Sequence, residues 1–136
     1  MDTTQFNKTV IDDFRANNGV VGGPMAGMPL LILTNTGAKT GKQRENPLAY
    51  IMDGERYIII ASFAGNANHP PWYHNLVANP EVSVEVGGEQ FSARAAVLAE
   101  PGRSRLYAAV AEKMPIFSEY QNKTTRTIPV IALLRV

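Results

Sequence analysis

Three basic side chains stand close together near residue 40, interleaved with glycine. The turn GAKTGK at residues 37–42 and the following arginine bring Lys39, Lys42 and Arg44 within six residues. Glycine lets the backbone approach a ligand, backbone amides can point at an anion, and a cation neutralises its charge. The pattern predicts a clamp for a phosphate or a polycarboxylate, and a solvated hairpin turn is the alternative. It is not a Walker loop, because Gln43 stands where that motif requires serine or threonine.

A second candidate site is the run of small residues SFAGNANHP at positions 62–70, which follows an apolar strand. Such a loop can lie along a flat heteroaromatic ring and offer amide N–H groups to the ring carbonyls. The Ser62 hydroxyl can donate a further hydrogen bond. Trp72 is then an apolar wall of the site, or it is a core residue, which is commoner for an isolated tryptophan.

The third cluster, MPIFSEYQ at residues 114–121, combines a proline break with two aromatic residues at three-residue spacing. It could cover the mouth of a pocket, although core packing explains Phe117 equally well. Tyr120 is the stronger candidate, because a buried tyrosine hydroxyl needs a hydrogen-bond partner and could find one on a substrate.

The composition argues against several other functions. The absence of cysteine removes disulfides, thiolate metal sites and cysteine nucleophiles. His69 and His74 are five residues apart and would not share a helix face, so no metal site is predicted. The 13 basic and 12 acidic side chains nearly balance, which argues against a nucleic-acid partner. We therefore expect a small-molecule ligand.

Strands are expected to carry most of these residues. Alternation of valine with polar residues at 82–86 and the turn dipeptides Asp53-Gly54 and Gly87-Gly88 indicate hairpins. The predicted strands are residues 30–33, 47–52, 57–61, 82–86, 91–98 and 128–134, with helices at 70–78 and 101–113. Six strands joined by hairpins favour an antiparallel β-barrel over a Rossmann sheet.

A helix is predicted at the N-terminus, over residues 3–17. Phe6, Val10 and Phe14 form one apolar stripe, and the glycine-rich stretch 19–27 would connect the helix to a domain spanning 28–136. Packing of the stripe on the domain is the preferred interpretation, and contact with a membrane surface is the alternative. Without a secretory signal or a bilayer-spanning apolar run, we expect a cytoplasmic protein, with peripheral contact at the inner face of the membrane as an option.

Taken in order, these segments resemble the deazaflavin-dependent nitroreductase family. The resemblance rests on LLILTNTGAKTGKQRENPLAYIMDGERYIIIAS, HPPWYHNLVANPEVSVEVGGEQFSARA and PIFSEYQNKTTRTIPVIAL, which together run from about residue 30 to residue 134. Single pieces such as GxKTGxxR are weakly specific, whereas the ordered set with HPxWYHNLxANP is highly specific. The family implies a mainly β (α+β) fold, a six-stranded antiparallel split β-barrel with flanking helices.

The resemblance also implies a cofactor, coenzyme F420, with FMN as the alternative. By analogy, the turn contacts the phosphate and the oligoglutamate tail, and two further sets of residues line the two sides of the ring system. The implied residues are Lys39, Thr40, Gly41 and Arg44 for the tail, Asn46, Pro47 and Leu48 for one side of the ring, and Ala61, Ser62, Phe63, Ala64, Gly65, Asn68, Pro70, Trp72 and Asn75 for the other.

The activity that the resemblance implies is transfer of a hydride from reduced F420 to a quinone, an activated C=C bond or a nitroaromatic. Ser62 would stabilise negative charge on the acceptor, and Tyr120 would supply or gate a proton, with Met114 and Phe117 on the substrate side. The alternatives are a barrel that stores F420 or a flavin without reducing anything, and an FMN or haem barrel.

Two departures from the family pattern affect these expectations. Family members commonly have Ser-Lys-Gly-Gly where this chain has SFAG at 62–65, which removes one contact to the tail or phosphate. The nitroimidazole-reducing member presents several tyrosines at its substrate pocket, and here only Tyr120 matches well. Efficient nitroimidazole reduction is therefore not expected.

Overall fold

The structure is a computed structural model that describes residues 3–17, 19 and 29–136. Most of the glycine-rich connection predicted at 19–27 and the side chain of Phe6 lie outside the described residues. The elements are α1 (Thr3–Ala16), β1 (Leu30–Thr36), β2 (Gln43–Ala49), β3 (Ile51–Asp53), β4 (Arg56–Ile60), a 3-10 turn (Phe63–Gly65), α2 (Pro71–Ala78), β5 (Glu81–Val86), β6 (Glu89–Val97), α3 (Gly102–Lys113), α4 (Ile116–Asn122) and β7 (Val130–Arg135).

The strands form one sheet in the order β2-β1-β5-β6-β7-β4-β3, in which every neighbouring pair is antiparallel. Strand β2 also approaches β4 without pairing to it, so the sheet curls towards a barrel. This confirms the predicted mainly β, antiparallel barrel. The antiparallel order makes β1, β6 and β4 run in one direction, so the segments that follow β1 and β4 leave the sheet at the same rim.

The predicted number of six strands is wrong, because the described residues form seven. The sequence indicated a turn followed by one strand from Pro47, whereas β2 already begins at Gln43, which pairs with Thr36. An exposed edge strand is held by backbone pairing and needs no apolar alternation, and it tolerates a proline because one side of it is unpaired. After Tyr50 the chain changes partner from β1 to β4, and Ile51 begins the separate strand β3.

Each face of the sheet carries its own apolar core, because successive side chains of a strand point to opposite sides. The inner core combines side chains of β1, β4, β5, β6 and β7 with Trp72 and Leu76 of α2. On the outer face, α3 and α4 cover β4 and β7 with Leu106, Val110 and Phe117. Helix α2 therefore lies against the inner core at the rim where the candidate loops emerge.

Helix α1 packs on the outer face of β1. Val10, Ile11 and Phe14 are buried against Leu30 and Ile32, which confirms the preferred interpretation for the part of the stripe that is described. No helix within the described ranges combines the length and the apolar character that crossing a bilayer requires.

Candidate functional site

The predicted clamp is a tight turn between β1 and β2. The Gly37 amide donates to the Lys42 carbonyl oxygen at 2.8 Å, and the Gly41 amide donates to the Gly37 carbonyl oxygen at 3.0 Å. Gly41 has φ +69°, a left-handed conformation that glycine adopts without strain. The Thr40 hydroxyl accepts from the Lys42 amide at 3.2 Å. The turn is therefore internally braced, as a rigid anion-binding loop requires.

The cations of this turn are exposed and uncompensated. No carboxylate among the described residues forms an ion pair with Lys39, Lys42 or Arg44. Most arginines elsewhere in the described chain have such a partner, for example Arg15 with Glu45 and Glu85. Positive charge thus concentrates at this rim of the sheet.

A buried asparagine that the sequence analysis missed holds the clamp in place. Asn35 is 1% exposed, and its Nδ2 donates to Asn46 Oδ1 at 3.0 Å. Its Oδ1 accepts from Asn75 Nδ2 at 2.8 Å, and Asn75 Oδ1 accepts from the Ala38 amide at 2.9 Å. Asn46 and Asn75, which the family resemblance assigns to opposite sides of one ring, are therefore joined through a single side chain. The only available signal was a polar residue two positions after the inner-face Leu33.

Strand β2 presents its candidate residues on two different faces. Asn46 and Leu48 lie opposite inner-face residues of β1, whereas Pro47 lies opposite Ile32, whose side chain packs against α1. The structure thus brings Asn46 and Leu48 together on the inner side. The ring of Pro47 is on the other side of the strand, so Pro47 could contribute to the inner-side site only through its backbone.

Strand β4 ends in a segment with several free donors. Ala61 is fully buried in the inner core, and Ser62 is 8% exposed. The Ser62 hydroxyl makes no hydrogen bond with a described residue, and no described side-chain N or O atom is both buried and unpartnered. The Oγ atom must therefore reach an accessible surface. The amides of Ser62 and Phe63 also have no acceptor among the described residues.

The 3-10 turn after Ser62 is strained and is packed on α4. Phe63 has φ +48°, which is unfavourable for a bulky side chain, and its side chain is 41% exposed. Gly65 has φ +77°, and a Cβ atom there would lie 2.7 Å from the Tyr120 carbonyl oxygen. This close approach brings the candidate ring-binding loop and Tyr120 together. The side chain of Ala64 lies outside what the structure describes.

The residues assigned to the substrate side divide between core and surface. Phe117 is 7% exposed within the outer-face core, and its carbonyl oxygen accepts a hydrogen bond from the Tyr107 hydroxyl. Met114 packs half-buried against the same core. The half-buried ring of Tyr120 stands edge-to-face on Phe117 at 5.5 Å, and its hydroxyl has no partner among the described residues. Of the three, Tyr120 alone therefore carries a hydroxyl, and that hydroxyl has no partner among the described residues.

Helix α2 begins as predicted, with Pro71 in its first turn. Trp72 is 7% exposed and belongs to the inner core, so the structure favours the core interpretation of this residue. Pro70 is buried as well. Asn68 is exposed, and its amide donates to Asn66 Oδ1 at 3.0 Å. Of the candidate residues Asn68, Pro70 and Trp72, only Asn68 is exposed.

A sequence profile of the F420H(2)-dependent quinone reductase family matches residues 6–135. The chain belongs to this family. An F420H(2)-dependent quinone reductase of Mycobacterium tuberculosis is 40% identical over 126 residues, which cover 90% of this chain and 85% of that protein. The predicted resemblance to F420-dependent reductases is thereby confirmed.

Two solved structures are similar to this member of the F420H(2)-dependent quinone reductase family. One is an F420-H2 dependent reductase, FDR-A, with a TM-score of 0.71 and 39% identity, covering 77% of this chain and 93% of that one. The other is a domain-swapped dimer with a TM-score of 0.73 and 32% identity, covering 97% of this chain and 99% of that one. Both similarities support the fold described above.

The residues of this reductase-family chain fit the coenzyme that the family name specifies. F420 combines a flat ring bearing carbonyl groups with a long anionic tail. The chain offers unpartnered donors at Ser62 and Phe63, and uncompensated cations at Lys39, Lys42 and Arg44, at the same rim of the sheet. Helix α2 joins the two places through the bond between Asn75 and the Ala38 amide.

Arg126, which the sequence analysis also missed, lies behind the loop. Its guanidinium donates to the carbonyl oxygens of Ala61 at 3.1 Å, Ser62 and Asn66 at 2.8 Å. It also lies 3.0 Å from His69 Nδ1, which must be the acceptor because an arginine only donates. Burial, followed by the charge of Arg126 and then of His74, lowers the pKa of His69 below its usual value. The neutral form of His69 is therefore favoured.

No metal centre accompanies this site in the described chain. Within the described ranges, no three His, Cys, Asp or Glu side chains come together as a metal ion would require. A shallow concavity of about 370 Å³ lies instead on the outer face of β1, β5 and β6, lined by Thr34, Ser83, Ser92 and Arg94. It contains none of the candidate residues. The candidate site is thus an open rim and not this concavity.

Proposed function

We propose that this protein is an F420-dependent reductase that transfers a hydride from the reduced coenzyme to a quinone or another acceptor with an activated C=C bond. The observation that carries the proposal is the pairing, at one rim, of unpartnered donors at Ser62 and Phe63 with an uncompensated cationic turn. In a chain of this family, that pairing matches a ligand with a carbonyl-bearing ring and an anionic tail.

Binding of the tail falls to the turn. Lys39 and Arg44 supply charge, and Thr40 and Gly41 keep the backbone in a braced, left-handed turn. Because no carboxylate among the described residues forms an ion pair with them, the charge of these residues is available to the ligand. The side chain of Phe63, where family members commonly have lysine, adds no charge to this set.

The ring system is expected to lie between β2 and the loop that follows β4. Asn46 and Leu48 offer an amide and an apolar surface on the inner side of β2. The amides of Ser62 and Phe63 face the opposite side. The asparagine network through Asn35 bonds β2 to α2, the helix that follows this loop.

When bound, the reduced coenzyme supplies the hydride. The contribution of the chain is to stabilise the negative charge that develops on a carbonyl oxygen of the acceptor, which the free hydroxyl of Ser62 can do as a preorganised donor. Tyr120 is close to this loop, because its backbone packs on the turn at Gly65. In the proposed reaction its hydroxyl, which has no partner among the described residues, delivers a proton or closes the substrate side.

A fluorescence titration with oxidised F420, run in parallel with FMN, tests the proposal. We expect selective binding of F420, with an affinity at least roughly tenfold weaker after combined replacement of Lys39→Ala and Arg44→Ala, because charge-assisted contacts are lost. Arg94→Ala is the matched control, since it removes an exposed cation from the outer face. A preference for FMN, or equal weakening by the control, would contradict the proposal.

Turnover separates a reductase from a storage protein. With reduced F420 and menadione, the wild-type protein should oxidise the coenzyme steadily, and Ser62→Ala should lower kcat roughly tenfold or more with little change in coenzyme affinity. Tight F420 binding without turnover of any quinone or unsaturated lactone would instead identify a storage module.

Peripheral membrane contact stays a prediction. The structure buries Val10, Ile11 and Phe14 of α1, so contact in this conformation would use the exposed polar side that carries the Lys8–Asp12 ion pair. Cosedimentation with anionic vesicles, with and without a lipid quinone, measures whether such contact occurs.

A further inference from the structure

We propose that Arg126 is a positioning residue for the ligand-binding loop: its guanidinium holds the two peptide groups that flank Ser62 so that their N–H groups point into the site. The inference rests on the proposed function, because it concerns the donors to which the coenzyme ring would bind. It assigns a role to a residue that lies 64 positions beyond Ser62 in the chain.

The contacts of Arg126 converge on one loop. Nη1 donates to the Ala61 carbonyl oxygen at 3.1 Å, Nη2 to the Ser62 carbonyl oxygen, and Nε to the Asn66 carbonyl oxygen at 2.8 Å. Nη1 also lies 3.0 Å from His69 Nδ1. One side chain therefore fixes the loop from the end of β4 almost to the start of α2.

The geometry of the peptide group explains how these contacts orient the amide donors of Ser62 and Phe63. In a trans peptide group the C=O and N–H bonds point in opposite directions. The Ala61 carbonyl belongs to the same peptide group as the Ser62 amide, and the Ser62 carbonyl to the same group as the Phe63 amide. Because Arg126 holds both oxygens on its own side, both amides are directed away from it, and neither has an acceptor among the described residues.

The charge of Arg126 also strengthens these donors. No carboxylate among the described residues forms an ion pair with Arg126, so no negative charge offsets its action on the carbonyl groups that it contacts. Hydrogen bonds in series polarise one another, and a carbonyl bound to a cation makes its own amide a better donor. Negative charge on a ring carbonyl at this place is stabilised accordingly.

Arg126 further connects the loop to the substrate side. Its own carbonyl oxygen accepts from Gln121 Nε2 at 2.9 Å, and Gln121 lies next to Tyr120 on α4. Gln121 Oε1 in turn accepts from Arg103 at 3.0 Å. The loop that offers the amides and the helix that carries Tyr120 are thus fixed relative to each other through one residue.

Only a planar cation with several N–H donors can make all of these hydrogen bonds. The acceptors lie around the guanidinium and take hydrogen bonds from Nε, Nη1 and Nη2. A lysine ammonium carries the same charge at one point and cannot reach the same set of oxygens. The difference between the two residues separates positioning from charge alone.

The test compares Arg126→Ala and Arg126→Lys with the wild-type protein and with Arg56→Ala. Arg56 is a partly buried arginine at the other end of β4, paired with Asp53, so its removal destabilises the same strand without touching the loop. F420 dissociation constants, the absorbance spectrum of the bound coenzyme and the Tm of the coenzyme-free protein are measured for each variant. Free guanidinium at low concentration is then added to Arg126→Ala, with ammonium as the ionic control.

We expect the F420 dissociation constant to rise at least roughly tenfold in Arg126→Ala, with a shifted spectrum of the bound coenzyme. Guanidinium, and not ammonium, should recover part of the affinity, and Arg126→Lys should bind with intermediate affinity. Arg56→Ala should lower Tm while its dissociation constant stays within about twofold of wild type.

Other results would overturn the inference in distinguishable ways. If the wild-type protein binds F420 and Arg126→Ala binds it equally well despite a lower Tm, Arg126 is merely structural and the proposed function stands. If Arg126→Lys binds F420 as tightly as wild type, charge alone suffices and positioning is refuted, and this variant also decides the matter if the alanine variant fails to fold. If the wild-type protein does not bind F420, both the proposed function and the inference fail.

Discussion

Replacement of Asn35 by leucine should damage stability and coenzyme binding together. Leucine has the same number and branching of side-chain heavy atoms, so the change removes the hydrogen bonds without opening a large cavity. It leaves Asn46 Oδ1 and Asn75 Nδ2 without the partners that they have at 3.0 and 2.8 Å. The bond from the Ala38 amide to Asn75 then loses its support, because nothing else described orients the Asn75 side chain.

The size of the effect follows from these contacts. Two well-formed hydrogen bonds and the partial desolvation of two stranded amide groups are worth roughly 2–3 kcal/mol of unfolding free energy. With an unfolding entropy of about 2.1 cal/mol/K per residue, a chain of 136 residues loses Tm by roughly 7–10 °C. The same change frees the cationic turn from α2, so the F420 dissociation constant should rise several-fold.

Thermal unfolding and F420 titration of Asn35→Leu measure the two effects. Asn17→Ala is the matched control, because Asn17 also makes two side-chain hydrogen bonds, both at 2.9 Å to Asp13, but on the exposed end of α1. The control should change Tm by no more than about 2 °C. If Asn35→Leu lowers Tm by no more than this control does and leaves F420 binding unchanged, the asparagine network does not organise the site.

Two further predictions concern the loop after β4. Phe63→Gly should raise Tm by about 2–3 °C, because glycine relieves the left-handed strain at φ +48°. Phe63→Ala removes the same ring but keeps the strain, so it should not raise Tm. Equal Tm values for the two variants in thermal unfolding would contradict the strain argument. The pKa of His69 is lowered in the fold, so its contribution is complete above the unfolded value of about 6.5 and is lost as pH falls through that value towards the folded pKa. His69→Asn keeps an acceptor for Arg126 without titrating, so the Tm of this variant should fall less than that of wild type between about pH 7.5 and pH 5. If the two Tm-against-pH curves are parallel, the loss of stability at low pH belongs to another group.

Much of the fold could be predicted because its strands are amphipathic or continuously apolar. The alternation in β5 buries Val82 and Val84 and leaves Glu81 exposed, as a period of two requires. The Asp53-Gly54 dipeptide gives the hairpin between β3 and β4, with Gly54 at φ +62°. The first part of β2 escaped prediction because QREN carries no such alternation, although its backbone pairs with β1.

The site was predictable in its surface residues and less so in its supports. Lys39 and Arg44 could be found from residue type and spacing, since charge beside glycine is a local pattern. The location of Trp72 and Phe117 could not be predicted in this way, because an aromatic residue suits both a pocket wall and a core. The structure buries both of them, which sequence spacing alone could not decide.

Arg126 could not have been found from local patterns, for a physical reason. Its partners are main-chain carbonyl oxygens and one imidazole nitrogen, so almost any side chains at Ala61 and Asn66 would serve as well. A contact of this kind leaves no complementary charge or motif elsewhere in the sequence. It becomes visible only when the hydrogen bonds of a loop are accounted for one by one, because every carbonyl bound on one side of a peptide group directs an amide to the other. In this chain Arg126, after α4, binds the two carbonyl groups whose peptides carry the Ser62 and Phe63 amides. It is therefore as much a part of the candidate site as the residues that would contact the ligand.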